Sequence, residues 1–204
     1  MVQAILMILA GFLVIGLIIV ANAYFVAQEF SFMSVDRAQL RSMASEGNKT
    51  AERALKITQR TSFMLSGAQL GITITGLLIG YVAEPLVGRG LGELLGGVGI
   101  PAGVSITIGT VAALFISTIA TMLFAELFPK NYTIAAPMKT ALFLSTSTMW
   151  YLRIFGWLIH FFEYASNAIL KVFGIEPVED VDSSATTDDL ESIVDASHEA
   201  GDLD

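Results

Sequence analysis

A single carboxylate, Glu126, follows a 32-residue stretch, 94–125, that contains no Asp, Glu, Lys or Arg. A charge at this position is costly unless it is paired or bound to a cation. Pro129 has no backbone N–H, so an α-helix here would leave the carbonyl of Ala125 free beside the Glu126 carboxylate. That pair of oxygens suits a hard cation. An i,i+4 ion pair between Glu126 and Lys130 explains the same residues equally well.

Neutral oxygen-bearing side chains interrupt two other apolar stretches. Asn22 lies deep within the first stretch, and Gln69 and Thr73 lie within the second. Steps of three and four residues place a set of small or polar residues on one face of the second stretch: Ser62, Ser66, Gln69, Thr73, Gly76 and Gly80. Close helix packing explains the glycines. The carboxamide of Gln69, however, needs several hydrogen-bond partners in a dry site.

The types of side chain available restrict which metal ion the protein could bind. The chain has no Cys and only two His, so its oxygen ligands favour Mg²⁺, Ca²⁺ or Na⁺ over a transition metal. The sequence contains no Ser-x-x-Lys, HExxH or phosphate-loop motif. We therefore expect a protein that handles a cation rather than an enzyme.

Gaps in the charge pattern predict the elements that position these residues. No charged residue occurs in 1–28, 61–83 or 94–125, and each gap exceeds the roughly 20 residues that a helix needs to cross the hydrocarbon core. Charged residues make up 15% of the chain, whereas soluble domains contain about a quarter. The sequence therefore predicts an all-α membrane protein with three transmembrane helices, at about 4–27, 61–83 and 104–127.

Residues 36–60 carry six bases and three acids, which is typical of a cytoplasmic segment under the positive-inside rule. We expect a hairpin of two short amphipathic helices here, separated at Gly47-Asn48 and resting on anionic lipid headgroups. The N-terminus then lies outside, and the glycine-rich segment 84–103 forms an outside loop.

Residues 137–173 are apolar and aromatic but are interrupted by Arg153, His160 and Glu163. They suit either a fourth span or a belt of juxtamembrane helices, and we favour the belt because Trp and Tyr prefer the headgroup level. Residues 174–204 contain eleven acids and no Lys or Arg. They predict an acidic linker and a short helix capped by Thr187, which leads into a further cytoplasmic domain.

Several segments together resemble the transmembrane domain of the CorC/CNNM (cyclin M) family of magnesium transport proteins, also described as hemolysin-like. They are NAYFVAQEFSF (22–32), residues 37–54, QLGITITGLLIGY (69–81) with Glu84-Pro85, ELFPK (126–130) and DDLESIVDASHEAGDL (188–203). The resemblance implies a homodimer with three spans per protomer, a cytoplasmic hairpin and a juxtamembrane belt over residues 1–173. It also implies a largely dehydrated Mg²⁺ site among the spans, and a pair of ATP-binding CBS domains after residues 174–204.

The resemblance also implies roles for individual residues. Glu126 matches the family's acidic position before Pro-Lys, and Gly71 matches a glycine of the second span. Ser66 falls at a family serine. These three residues carry over directly as expected Mg²⁺ ligands.

Other positions depart from the family pattern. Asn22 and Val26 stand where many members have Ser, and Ile72-Thr73 stands where Asn-Asn is common. Gln69 and Thr73 are the side chains that would supply the missing oxygens. The expected Mg²⁺ ligands are therefore Asn22, Ser66, Gln69, Gly71, Thr73 and Glu126.

The resemblance implies Mg²⁺ export across the plasma membrane, with Na⁺ entry as the driving reaction. The alternative is a membrane-embedded Mg²⁺ sensor that regulates other transporters without moving the ion, and the sequence does not separate the two. A membrane scaffold without an ion site is a third possibility. The expected partners are the lipid bilayer, Mg²⁺, Na⁺ and a second copy of the chain, with no nucleic acid. ATP would bind only through the CBS domains, and the acidic tail would lie in the cytoplasm.

Overall fold

The computed structural model describes residues 2–97 and 99–175, and every regular element within them is a helix. In chain order the elements are α1 (Val2–Ser34), α2 (Arg37–Ser45), α3 (Lys49–Thr58), α4 (Thr61–Val82), a π-helical segment (Ala83–Gly88), α5 (Arg89–Gly96), α6 (Ala102–Ala120), a second π-helical segment (Thr121–Leu127), α7 (Phe128–Ala135) and α8 (Pro137–Val172). The predicted tail helix at Thr187 lies outside the described residues.

Three helical stretches in this part of the chain are long and apolar enough to cross a membrane: Val2–Ser34, Thr61–Gly96 and Ala102–Ala135. Each contains one predicted span, so the prediction of an all-α membrane protein with three spanning helices is confirmed. Apolar side chains cover the outer surface of the first stretch, as expected of a helix that faces lipid. The orientation with the N-terminus outside stays a prediction.

Helices α2 and α3 form a hairpin where the sequence predicts one. The Asn48 side chain caps α3 by accepting hydrogen bonds from the N–H groups of Thr50 (3.0 Å) and Ala51 (3.2 Å), and Asp36 caps α2 in the same way. Gly47 adopts a φ of 90° between the two helices, a conformation that few residues other than glycine tolerate. The apolar faces of the hairpin are buried through Leu40, Ala51, Ala54 and Ile57.

The glycine-rich segment 84–103, predicted as an outside loop, is instead helical as far as Gly96. A Cβ placed on Gly109 of α6 would lie 2.6 Å from the backbone nitrogen of Gly92 in α5. The glycines therefore let the backbones of α5 and α6 approach closely. The loop prediction was wrong because glycine is also the commonest turn residue, and only the tertiary contact distinguishes the two uses.

Helix α1 runs antiparallel to the continuous stretch formed by α4, the first π-helical segment and α5. Gly11, near the start of α1, lies against Val87, whereas Phe25, near its end, lies against Gly71. Helix α6 joins the same bundle. An apolar cluster where the three spans meet contains Ile15, Ile79, Val87 and Ala113.

Residues 137–172 form one continuous helix, α8, rather than the expected set of short belt helices. The Tyr151 hydroxyl donates a 2.8 Å hydrogen bond to the carbonyl of Gly67 in α4, and Ile159 packs on the same glycine. Further along, the His160 ring lies 4.5 Å from the Phe63 ring. Helix α8 therefore packs on the ends of α1 and α4 that adjoin the basic hairpin, and the choice of a belt over a fourth span stays a prediction.

Candidate cation site

A cavity of about 380 Å³ lies between α4 and the end of α6, with a largely apolar wall that polar groups interrupt. Its described lining includes one carboxylate, three hydroxyl side chains and two glycines: Glu126, Ser117, Thr118, Thr121, Gly76 and Gly80. The two glycines are four residues apart, so two successive turns of α4 present bare backbone to this cavity. The Glu126 cavity therefore offers one negative charge and several neutral oxygens.

The π-helical segment Thr121–Leu127 shapes one wall of the Glu126 cavity. At its end the N–H of Phe128 donates to the carbonyl of Leu123, five residues earlier rather than four. Such turns are rare and frequently occur at functional sites. The wider turn brings the side chains of Thr121 and Glu126, five residues apart, to the same cavity.

This register corrects the prediction of a free carbonyl at Ala125. At π spacing, the N–H that Pro129 lacks would have reached the carbonyl of Phe124, one residue earlier. The prediction for Ala125 assumed an uninterrupted α-helix, whereas in the π-helical register the carbonyl opposite Pro129 is that of Phe124.

The competing explanation for Glu126, an ion pair with Lys130, is not what the structure shows. The Lys130 ammonium lies over the Phe30 ring, 5.0 Å from its centroid. Among the described residues Glu126 has no basic partner within ion-pair distance. Its carboxylate is exposed at the cavity, so it is available to an ion.

The other five predicted ligands are not among the described residues that line the Glu126 cavity. Asn22 and Gly71 are buried inside the bundle, and Ser66 is half-buried. Gln69 and Thr73 are exposed on the outer face of α4. These five residues thus form an inner group, Asn22, Ser66 and Gly71, and an outer group, Gln69 and Thr73. The ligand set stays a prediction.

Neighbouring side chains restrict both the carbonyl and the Cα of Gly71. The Thr75 hydroxyl donates a 2.7 Å hydrogen bond to the carbonyl, and a side chain at position 71 would fall on the ring of Phe25. Because Gly71 lies within the α-helix α4, its carbonyl also accepts the helical hydrogen bond from the N–H of Thr75, so both of its lone pairs are engaged. Glycine is required here by the close approach of α1.

Several buried polar atoms have no hydrogen-bond partner within the described structure. They include Asn22 Oδ1, both amide atoms of Gln28 and the hydroxyl of Thr121. Asn22 is 2% exposed and Gln28 is fully buried. Because such groups cost free energy unless they are satisfied, they mark places where water or an ion would be stabilised.

Sequence analysis did not identify Gln28, Ser117, Thr118 or Thr121 as site residues. A signal for the last three exists, since Thr121 is four positions from Ser117 and three from Thr118, spacings that share one face of a helix. That signal is weak, because hydroxyls in membrane helices commonly bond to the preceding turn. The glycines at 76 and 80 were noticed only as a packing motif.

A helical chain with three spans, one of which carries a lone carboxylate beside a π-helical turn, defines a multi-pass helical membrane protein. The chain belongs to the cyclin M family, because the model of the cyclin M transmembrane N-terminal domain matches residues 12–204. Membership of this family indicates divalent-cation transport or an associated membrane function.

Relatives in several bacteria match nearly the whole chain. The uncharacterized protein Rv1841c of Mycobacterium tuberculosis is 33% identical over 97% of this chain and 56% of its own length. UPF0053 protein MT1890 of the same species is 37% identical over 88% of this chain and 40% of its own length. UPF0053 protein YhdP of Bacillus subtilis is 27% identical over 96% of this chain and 44% of its own length. The chain thus spans about half the length of the relatives it matches.

Proposed function

We propose that the protein exports Mg²⁺ across the plasma membrane in exchange for Na⁺, and that the ion passes through the Glu126 cavity. The observation that carries this proposal is the position of Glu126, which is unpaired, beside a π-helical break and within a cavity that holds three hydroxyls. Mg²⁺ in proteins is bound by one or two carboxylates and keeps several waters. The Glu126 cavity supplies that combination with room for water.

Two sets of oxygen atoms would act at different stages of transport. A partly hydrated ion would first meet the Glu126 carboxylate and the hydroxyls of α6. The unsatisfied oxygens of Asn22 and Gln28 inside the bundle would then replace water as α4 shifts against α6. The bare glycine face of α4 suits such a shift, since small residues offer little resistance to sliding.

Three further features are part of the proposal. The polar face of α4, with half-buried Ser66 and exposed Gln69 and Thr73, would pack against a second protomer. The acidic segment 174–204 would lie in the cytoplasm. In the full-length protein it would lead to a pair of CBS domains that bind ATP, consistent with the greater length of the relatives.

The test is Mg²⁺ flux into proteoliposomes, measured with an enclosed Mg²⁺-sensitive dye, with and without a Na⁺ gradient. Glu126→Gln keeps the shape of the side chain and removes its charge. We expect it to lower flux about tenfold or more, which corresponds to at least about 1.4 kcal/mol. The matched control is Glu93→Gln, an exposed acid on α5 outside the cavity, which should transport normally.

Mg²⁺ binding measured on the same proteins by calorimetry separates the alternatives. Binding that needs Glu126, without flux, would support the sensor instead of the transporter. Flux and binding that are the same in Glu126→Gln and the wild type would refute the proposed site.

A further inference from the structure

A second pocket, of about 270 Å³, lies between α3, α4 and α8. Its charge is opposite in sign to that of the Glu126 cavity. Four basic or titratable side chains line it, from α3, from the turn that follows α3 and from α8: Lys56, Arg60, Arg153 and His160. Its remaining wall is apolar and includes Phe63 and Leu152. We call it the basic pocket. Nothing in the proposed cation transport uses it, and it has the wrong charge to bind Mg²⁺.

Contacts within the basic pocket hold its cations in place. The Arg60 guanidinium lies 4.3 Å from the centroid of the Phe63 ring, and one of its nitrogens is 3.4 Å from His160 Nε2. The Arg153 guanidinium lies 5.5 Å from the Trp150 ring. Aromatic rings support guanidinium groups in this way without neutralising their charge.

The carboxylates near the basic pocket do not cancel its charge. Glu52 pairs with Lys56 at 2.7 Å, and Glu163 lies 3.2 Å from His160 Nδ1. Arg60 and Arg153, in contrast, form no ion pair with any residue that the structure describes. Two guanidinium groups therefore converge on one pocket with their donors available, and the fork of each group matches the oxygens of a phosphate.

The surroundings of the basic pocket distinguish a lipid from a free anion. Trp150 and Trp157 on α8 are 59% and 73% exposed, and exposed Trp is enriched at the level of lipid headgroups. Exposed Ile154 and Phe155 continue an apolar surface along the same helix. A ligand with a phosphate and an acyl chain would satisfy both parts, whereas inorganic phosphate or a nucleotide would leave the apolar part uncovered.

We propose that the basic pocket binds the phosphate of an anionic phospholipid, with its acyl chains against the apolar side of α8. The hairpin and α8 would then be fastened to the inner leaflet through one defined lipid rather than through a diffuse surface charge. This proposal does not depend on the function of the Glu126 cavity.

The experiment is native mass spectrometry of the intact chain in detergent with added phosphatidylglycerol or phosphatidylcholine. We expect the wild type to retain one phosphatidylglycerol per protomer and to prefer it over phosphatidylcholine. The double variant Arg60→Gln with Arg153→Gln should retain at least about fivefold less, and both residues are exposed, so the fold should survive. The matched control, Arg41→Gln, removes an exposed charge from α2 outside the pocket and should retain the lipid.

Two further outcomes would overturn the proposal. One is equal lipid retention by the double variant and the wild type, with circular dichroism showing that both are folded. The other is displacement of the lipid by millimolar inorganic phosphate, or equal retention of phosphatidylcholine, since either would show that the acyl chain or the negative charge is not recognised.

Discussion

At the scale of single residues, Asn22 offers a test of the inner group of ligands. Its Oδ1 is buried without a partner, so Asn22→Leu, of similar shape, should stabilise the ion-free protein by about 1 kcal/mol. If Asn22 binds Mg²⁺, the same change should also abolish the rise in melting temperature that Mg²⁺ causes in the wild type. Thermal unfolding in detergent, with and without Mg²⁺, measures both effects.

Thr148→Val is the matched control for Asn22→Leu. The Thr148 hydroxyl is also buried without a partner but lies on α8, away from the Glu126 cavity. This variant should likewise stabilise the protein, yet keep the full response to Mg²⁺. A full response in Asn22→Leu as well would remove Asn22 from the ligand set.

Tyr151 gives a prediction for pH dependence. Burial raises the pKa of Tyr151 to about 12, and the nearby Tyr24 adds a smaller effect in the same direction. The ordinary tyrosine pKa is about 10. Because the folded pKa lies above the unfolded one, the stability contributed by this group is complete below pH 10 and is lost as the pH rises from 10 to 12.

Tyr151→Phe should therefore flatten the fall in melting temperature between pH 10 and 12. At pH 8 it should cost about 1 kcal/mol, because the 2.8 Å hydrogen bond to the carbonyl of Gly67 is lost. Tyr164→Phe, an exposed residue on the same helix, should change neither property. An unaltered high-pH transition in Tyr151→Phe would contradict the assignment.

At the scale of elements, the contact between α5 and α6 depends on glycine. A Cβ on Gly109 would meet only backbone atoms, those of Gly88 and Gly92, which cannot move without separating the helices. Gly109→Ala should therefore destabilise the protein by roughly 1–3 kcal/mol, although alanine is the better helix former. The loss would appear as a lower melting temperature and faster proteolysis.

Gly103→Ala provides the comparison for Gly109→Ala. It lies in the same helix, where nothing stands within 4 Å of an added Cβ. It should be neutral or slightly stabilising, since the unfolded chain loses freedom. Equal effects of the two substitutions would show that α5 and α6 are not packed through their backbones.

At the scale of the whole molecule, the outer polar face of α4 predicts a dimer contact. Gln69 and Thr73 are exposed there. Polar and small residues on a membrane helix favour contact with another helix rather than with lipid. Because the chain has no Cys, Thr73→Cys should give a single, clean crosslink between two protomers in membranes.

Leu17→Cys serves as the control for this crosslink. Leu17 is 64% exposed on α1 and belongs to an apolar surface, so it should face lipid and crosslink poorly. Gel electrophoresis after oxidation, or after a short bismaleimide, gives the yield. Equal yields at the two positions would place the interface elsewhere or show that the contacts are random collisions.

The sequence by itself determined the features that depend on local composition. Uncharged stretches longer than the hydrocarbon core located the three spans, because no charge tolerates that environment unpaired. The pair Gly47-Asn48 located the hairpin turn, because glycine favours a turn and asparagine caps a helix. Glu126 was recognisable as a candidate ligand because a charge at the end of a long apolar run needs a partner, although the sequence offered Lys130 and a cation equally.

Only the tertiary structure decided how these elements combine. From sequence alone the glycines of α5 predicted a loop, and only their contact with α6 shows that they belong to a helix. Residues 137–172 likewise predicted several helices, whereas they form one helix that packs on α4. The π-helical register at Glu126 was likewise hidden, since it results from competition between backbone hydrogen bonds and packing. That register, rather than the residue pattern, joins Glu126 to the hydroxyls of α6 and to the glycine face of α4.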